Sequence, residues 1–164
     1  MAQISDWGPP LWKILHASAE RAGAYSTEMR MVDEIRAWIR LLKTTEGVLP
    51  CALCRNHYME WRKAHPPEDL LRYRGSIFKE ELRRWLWGLH EHVNTHRGIQ
   101  PEARLSFEDL SGAYASVTRQ EIQQSMGDLV KQFEKAVLYR QVQGTYVIEW
   151  KRVFAFLRTV VGGI

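Results

Sequence analysis

The sequence predicts an all-α fold, for two reasons. Apolar residues recur at the three- and four-residue spacing of an amphipathic helix along almost the whole chain. Up to Gly98, no segment shows the alternation of apolar and polar residues between hairpin turns that marks half-buried strands. The 164 residues suffice for one domain, with or without an appendage, that buries a core of its own.

The first hundred residues divide into four predicted helices, at about residues 9–23, 27–47, 51–65 and 76–98. Pro9 and Pro10 are placed in the first turn of the first helix, where proline is tolerated. Thr27 is placed as the N-cap of the second helix and Gly47 at its end. Ser76 opens the long fourth helix.

The last third of the chain is also predicted to be helical. A short helix ends near Tyr114, and Thr118 with Glu121 has the spacing of a capping box before a longer helix. We place the break of that helix at Gly144, before a last helix. Residues 145–148, taken alone, also suit a short strand.

Charge and composition argue against several classes of protein. The net charge of +4 comes from 23 basic and 19 acidic residues that are scattered, whereas nucleic-acid binders usually cluster Lys and Arg. No apolar run approaches the ~20 residues of a membrane span, and the first residues lack the pattern of a signal peptide. Two cysteines do not make a disulfide-rich secreted module. We therefore expect a cytoplasmic protein without a membrane or nucleic-acid partner.

The strongest local motif is Cys51-Ala-Leu-Cys54, at the start of the predicted third helix. A spacing of three residues puts both sulfurs on one helix face, and a helix N-terminus stabilises a thiolate. These are the requirements of a redox-active pair. Spacing alone leaves two alternatives open: a zinc site completed by His57 and His65, and two unpaired thiols.

Histidines recur at helical spacing beside large rings or amides. His16 follows Trp12 by four residues, and Asn94 follows His90 by four. A single histidine on an apolar face is usually a core residue that has found a hydrogen-bond partner. Several of them on different helices near one CxxC pair favour the wall of a flat, polar cofactor site between the helices of a bundle.

Three motifs together resemble those of the Erv/ALR family of FAD-dependent sulfhydryl oxidases. Residues 7–16, WGPPLWKILH, are similar to the WGxxxWxxLH opening of the family. Residues 49–58, LPCALCRNHY, are similar to its (Y/L)PCxxCxxHF helix start, and residues 90–94, HEHVN, to its HNxVN signature. The order and spacing of the three agree, and the resemblance covers about residues 4–115.

The resemblance implies a four-helix bundle with a short fifth helix that holds FAD, usually as a homodimer. It implies that electrons pass from a substrate dithiol through Cys51 and Cys54 to FAD, and then to dioxygen, which yields hydrogen peroxide. Cys51 would exchange with the substrate, and Cys54 would contact the flavin. The residues that would surround the cofactor are Gly8, Trp12, His16, His57, His90, Val93, Asn94, Arg97 and Tyr114.

The chain departs from the family pattern in two ways. Glu91 stands where the signature has Asn, and the basic residues that usually follow are displaced, so that Arg97 is the candidate for the FAD phosphates. The chain also has no cysteine for a shuttle disulfide, in which it is similar to the minimal viral members. We therefore expect a protein dithiol or a thioredoxin-like carrier to reach Cys51 directly, in a partly exposed depression lined by Leu49 and Pro50.

Residues 1–115 are predicted to form the oxidase-like domain, and residues 116–164 a helical extension that packs on the core or on a second subunit. If the protein is viral, its location would be the host cytoplasm. Two other classes of function remain open. One is a zinc-stabilised helical interaction module that uses the CxxC pair and nearby histidines, with no flavin. The other is a basic helical protein that binds nucleic acid.

Overall fold

The computed structural model describes all residues from Met1 to Ile164, and it consists of helices joined by short loops. The α-helices are α1 (Ile4–Ala19), α2 (Glu28–Val48), α3 (Ala52–Ala64), α4 (Gly75–His96), α5 (Leu110–Tyr114), α6 (Arg119–Leu138) and α7 (Gly144–Val160). Short 3₁₀ helices span Pro67–Arg72 and Pro101–Ala103. There is no β-strand, so the all-α prediction is confirmed. No helix combines the length and the apolar character that crossing a bilayer requires.

Helices α1 to α4 form the bundle, and the short α5 lies against α1. Helix α4 packs against both α1 and α3, while α2 packs against α3. The two later helices cover the bundle from outside, α6 along α1 and α7 along α2. One continuous apolar core joins these layers, and it includes Trp38 of α2, Leu86 of α4 and Phe133 of α6.

Trp150 anchors α7 on the bundle. Its indole is fully buried, packs edge-on against Phe133 at 5.4 Å between ring centroids, and stacks with Phe154 at 5.6 Å. Its Nε1 donates a 3.0 Å hydrogen bond to Oγ1 of Thr45 on α2. Because a buried indole N–H needs a partner, this bond fixes the register of α7 against α2.

Two of the predicted helix starts are confirmed at the level of individual hydrogen bonds. The Thr27 side chain accepts from the backbone N–H of Arg30, which caps α2. Thr118 and Glu121 form a reciprocal capping box at the start of α6. Each such cap satisfies backbone donors that have no partner within the helix.

The predicted start of α1 is wrong. The helix begins at Ile4, so Pro9 and Pro10 lie in its interior rather than in its first turn. A proline leaves the carbonyl four residues before it without a donor. Those carbonyls belong to Ser5 and Asp6, which are exposed, so that water can satisfy them. The prolines are therefore tolerated inside the helix.

The predicted break at Gly144 is also wrong. Helix α6 already ends at Leu138, because Arg140 adopts a left-handed φ of 57°. The N–H groups of Arg140 and Gln141 bond back to the carbonyls of Val137 and Ala136, at 2.9 and 2.8 Å. These two bonds form a Schellman-type end. Gly144 is the first residue of α7, so residues 145–148 are helical and not a strand.

Gly88 sets the distance between α3 and α4. A Cβ at this position would lie 2.5 Å from Cζ2 of Trp61, a ring that also stacks on His65 at 3.7 Å. We expect Gly88→Ala to lower the free energy of unfolding by about 1–3 kcal/mol, the usual cost of overpacking. The measurement is urea unfolding, with Gly127→Ala on α6 as the control, since nothing lies near its Cβ. Equal stability of the two variants would contradict the close approach.

Candidate functional site

A cavity of about 400 Å³ opens at one end of the bundle, between α1, α4, α5 and the start of α3. This volume lies within the range of small-molecule sites. Seven of the residues predicted from the sequence line it: Gly8, Trp12, Cys54, His90, Val93, Arg97 and Tyr114. The structure therefore brings most of the predicted set to one place.

The cavity wall is built from stacked rings. Trp12 and His90 are nearly parallel, with centroids 3.8 Å apart and planes inclined by 10°. Behind them His16 stacks on Tyr114 at 4.8 Å, and its Nε2 lies 3.2 Å from Nδ1 of His90. His16 is 3% exposed and does not line the cavity itself. It supports the rings that do.

Burial keeps both of these histidines neutral. It lowers the pKa of His16 to about 3, and the proximity of His90 acts in the same direction. Burial also lowers the pKa of His90 to about 4. At neutral pH one ring nitrogen of the pair therefore donates and the other accepts in the hydrogen bond between them. The wall of the cavity carries no charge from these two rings.

The lowered pKa of His16 predicts a pH-dependent stability. Below its ordinary pKa of 6.5 the unfolded chain binds a proton that folded His16 does not bind, so the free energy of unfolding falls as the pH falls towards 3. Between about pH 6 and 5, the free energy of unfolding in urea should fall by up to about 1.4 kcal/mol per pH unit more for the wild type than for His16→Gln. Parallel profiles would show that His16 titrates normally.

The two cysteines occupy different environments although one helical turn separates them. Cys51 is the N-cap of α3, and its Sγ accepts a 3.2 Å hydrogen bond from the backbone N–H of Cys54. Cys54 lines the cavity, whereas Cys51 is half-buried outside it. Both are free thiols. A thiolate at Cys51 would thus be stabilised by a backbone donor.

The pKa of Cys54 differs from the sequence-based expectation of a lowered thiol pKa. Burial, the hydrogen bond with Cys51 and the charge of Cys51 together raise this pKa to about 12, while Arg97 acts in the opposite direction. A reduced Cys54 therefore holds its proton while it faces an apolar cavity and a second thiol. A Cys54 thiolate therefore needs additional stabilisation from a ligand bound in the cavity.

The loop before Cys51 is held by a residue that the sequence analysis missed. Gln141 lies 91 positions away, and its Nε2 donates to the Pro50 carbonyl at 3.4 Å. Arg55 donates to the carbonyls of Leu49 and Gln141 at 2.5 and 3.3 Å. Cys51 is half-buried, as expected, whereas Leu49 and Pro50 are buried, and Leu49 lines the cavity rather than a surface depression beside Cys51. No local pattern signals a contact over such a separation.

Besides His16, two other predicted cofactor residues, His57 and Asn94, do not line the cavity. His57 is buried and packs against His96, with ring centroids 4.1 Å apart. The Asn94 amide nitrogen lies 3.5 Å from Oε1 of Glu91, the residue that replaces Asn in the signature.

The alternative zinc site is not assembled either. The only three His, Cys, Asp or Glu side chains with ligand atoms within 4.8 Å of one another are Glu60, His92 and His96. Neither cysteine belongs to this group, and His65 stacks on Trp61 instead, at 3.7 Å.

The fold and the site define a helical-bundle oxidoreductase in which the inner cysteine of a CxxC pair faces a ring-lined cavity. Residues 9–111 match the model of the Erv1 / Alr family, and the chain belongs to this family. The family has FAD-linked sulfhydryl oxidase activity in general. No curated protein and no solved structure matches the chain.

The residues around the cavity fit a flavin. The indole Nε1 of Trp7 is buried without a hydrogen-bond partner beside the cavity, and it is a donor that a polar ring can satisfy. Gly8 leaves open space, because a Cβ there would have only Ile4 within 4 Å, at 3.7 Å. Arg97 supplies a positive charge at the rim. Trp7 belongs to the first motif, and its position there is the one sequence signal for it.

Proposed function

We propose that the protein is an FAD-dependent thiol oxidase that forms disulfides in protein dithiols and reduces dioxygen to hydrogen peroxide. One observation carries this proposal: the CxxC pair spans the wall of the cavity. Cys54 lines the cavity, while Cys51 lies one helical turn away and outside it. The pair can therefore accept electrons on one side and release them on the other.

The chain offers each part of the flavin a suitable partner. Trp12, His90 and Tyr114 would hold its ring system, with the free N–H of Trp7 as a donor. Arg97 would face its negatively charged part. When bound, FAD supplies two-electron chemistry, accepting an electron pair from a thiolate and passing it to dioxygen.

The cysteines perform the exchange with the substrate. A substrate thiolate attacks Sγ of Cys51, the Cys51–Cys54 disulfide breaks, and Cys54 leaves as a thiolate. The second substrate thiolate then attacks the mixed disulfide, which forms the product disulfide and releases Cys51 as a thiolate. The Cys54 N–H stabilises this second leaving group, and the charge of Arg97 favours the Cys54 thiolate.

We further propose that the substrate reaches Cys51 without a relay within this chain. The 164 residues contain only two cysteines, so the attacking thiolate comes from a small dithiol, a flexible dithiol segment or a thioredoxin-like carrier. A dithiol is preferred over single thiols because its second thiol closes the product disulfide. A homodimer and a viral, cytoplasmic setting stay predictions.

The visible spectrum and oxygen consumption test the proposal together. We expect purified protein to be yellow, and to consume oxygen and release hydrogen peroxide with a small dithiol as the only reductant. Colourless protein that takes up no added FAD would overturn the proposal. Zinc without flavin that is bound by the wild type but not by C51S/C54S would favour the interaction module, and activity only with a second redox protein would refute direct access to Cys51.

A further inference from the structure

A second group of ligand-bearing side chains lies between α3 and α4, away from the cavity. His92 and His96 are one turn apart on α4, and Glu60 faces them from α3. The distance from Oε2 of Glu60 is 3.5 Å to Nε2 of His92 and 3.9 Å to Nε2 of His96. None of the three residues lines the cavity.

Both imidazoles present Nε2 to the same carboxylate. In His96, Nδ1 lies 2.8 Å from the His92 carbonyl, which fixes the tautomer with the proton on Nδ1 and leaves the lone pair on Nε2. The Nε2 atom of His92 is buried and makes no hydrogen bond of good geometry, although the Glu60 carboxylate lies 3.5 Å away. An unsatisfied buried nitrogen that faces a carboxylate is a reason to look for a ligand between them.

The spacing of the three groups suits a small tetrahedral ion. Ligands at about 2.0–2.1 Å from Zn²⁺ lie about 3.3 Å from one another. The observed nitrogen–oxygen distances exceed this by a few tenths of an ångström, which small side-chain rotations can close. The packing of Trp61 against Gly88 holds the two helices at this separation.

We propose that Glu60, His92 and His96 form a Zn²⁺ site that ties α3 to α4. Two imidazoles and one carboxylate are a ligand set that zinc accepts, with a water molecule as the fourth ligand. The site stands apart from the CxxC pair and does not depend on the flavin. It fastens the helix that carries Cys54 to the helix that carries His90 and Val93.

Calorimetric titration with Zn²⁺ alone tests the site, on protein saturated with FAD. The double variant C51S/C54S removes the thiols as competing ligands. We expect wild type and C51S/C54S to bind one Zn²⁺ per chain with the same affinity. In the C51S/C54S background, each of E60Q, H92Q and H96Q should weaken binding by at least about 10-fold.

The control is H65Q, which removes another histidine that lies outside the group and should leave the affinity unchanged. Because Glu60 is exposed, E60Q keeps the test valid even if a histidine variant does not fold. Absence of saturable binding in C51S/C54S would overturn the proposal. Unchanged affinity in E60Q, H92Q and H96Q would overturn it as well.

Discussion

Replacing Cys54 with serine is expected to abolish thiol oxidation, with a fall in turnover of at least about 1,000-fold. Cys54 is the only sulfur that lines the cavity, so no other group can pass electrons from Cys51 to a bound flavin. A serine keeps the size of the side chain and should leave FAD binding intact. Oxygen consumption with a small dithiol measures turnover, and the visible spectrum measures flavin content.

The matched variant Cys51→Ser should stop turnover as well, for a different reason. The substrate then has no disulfide to attack, yet Cys54 still faces the cavity. Two of the effects that raise the pKa of Cys54 come from Cys51, so the Cys54 thiol should ionise below pH 12 in this variant. Its thiolate beside the flavin should add a long-wavelength absorption band, which Cys54→Ser lacks. A band in Cys54→Ser but not in Cys51→Ser would show that Cys51 contacts the flavin and Cys54 meets the substrate.

Filling the cavity from Gly8 is expected to remove the flavin while the fold survives. In Gly8→Phe the new ring would enter the open space that borders this glycine, where Ile4 is the one neighbour of its Cβ. Replacing a glycine inside a helix also favours the helix, by roughly 0.5–1 kcal/mol for alanine. We therefore expect protein that unfolds cooperatively but retains at most about a tenth of the FAD, a loss of about 1.4 kcal/mol or more in binding.

Gly127→Phe is the control for this experiment. Gly127 also lies inside a helix, on the exposed side of α6, and nothing lies within 4 Å of its Cβ. This variant should bind FAD like the wild type, as judged by the ratio of visible to ultraviolet absorbance. Full flavin content in Gly8→Phe would show that the cofactor does not occupy this cavity.

Local signals in the sequence predicted local structure well. Thr27 and the Thr118–Glu121 pair cap the helices that they were expected to cap, because a cap depends only on residues within one turn. Cys51 at the start of α3 is the same kind of signal. The start of α1 was predicted wrongly because the free-energy cost of Pro9 and Pro10 inside a helix depends on the exposure of the residues one turn before them, which the sequence does not show.

The members of the site were harder to predict because their positions depend on tertiary packing. His57 follows Cys54 by three residues, which leaves about 60° between their directions on the helix. That angle is enough for Cys54 to face the cavity and for His57 to face His96. The family resemblance implied that both residues contact the cofactor. The packing of α3 against α4 instead turns Cys54 towards the cavity and His57 towards His96.

The contacts of Gln141 bear on the order in which the chain becomes functional during synthesis. Its Oε1 accepts the N–H of Ala2 at 2.8 Å, and its Nε2 lies 3.3 Å from the Ala2 carbonyl and 3.4 Å from that of Pro50. The contacts around the loop before Cys51 are thus completed only by a residue that is made 91 positions after Pro50. A ribosome-bound chain lacking α6 and α7 still exposes the apolar faces of α1 and α2, and its Cys51 loop is not yet fastened. The loop before Cys51 is therefore fastened only after residue 141 has been made and has packed against it.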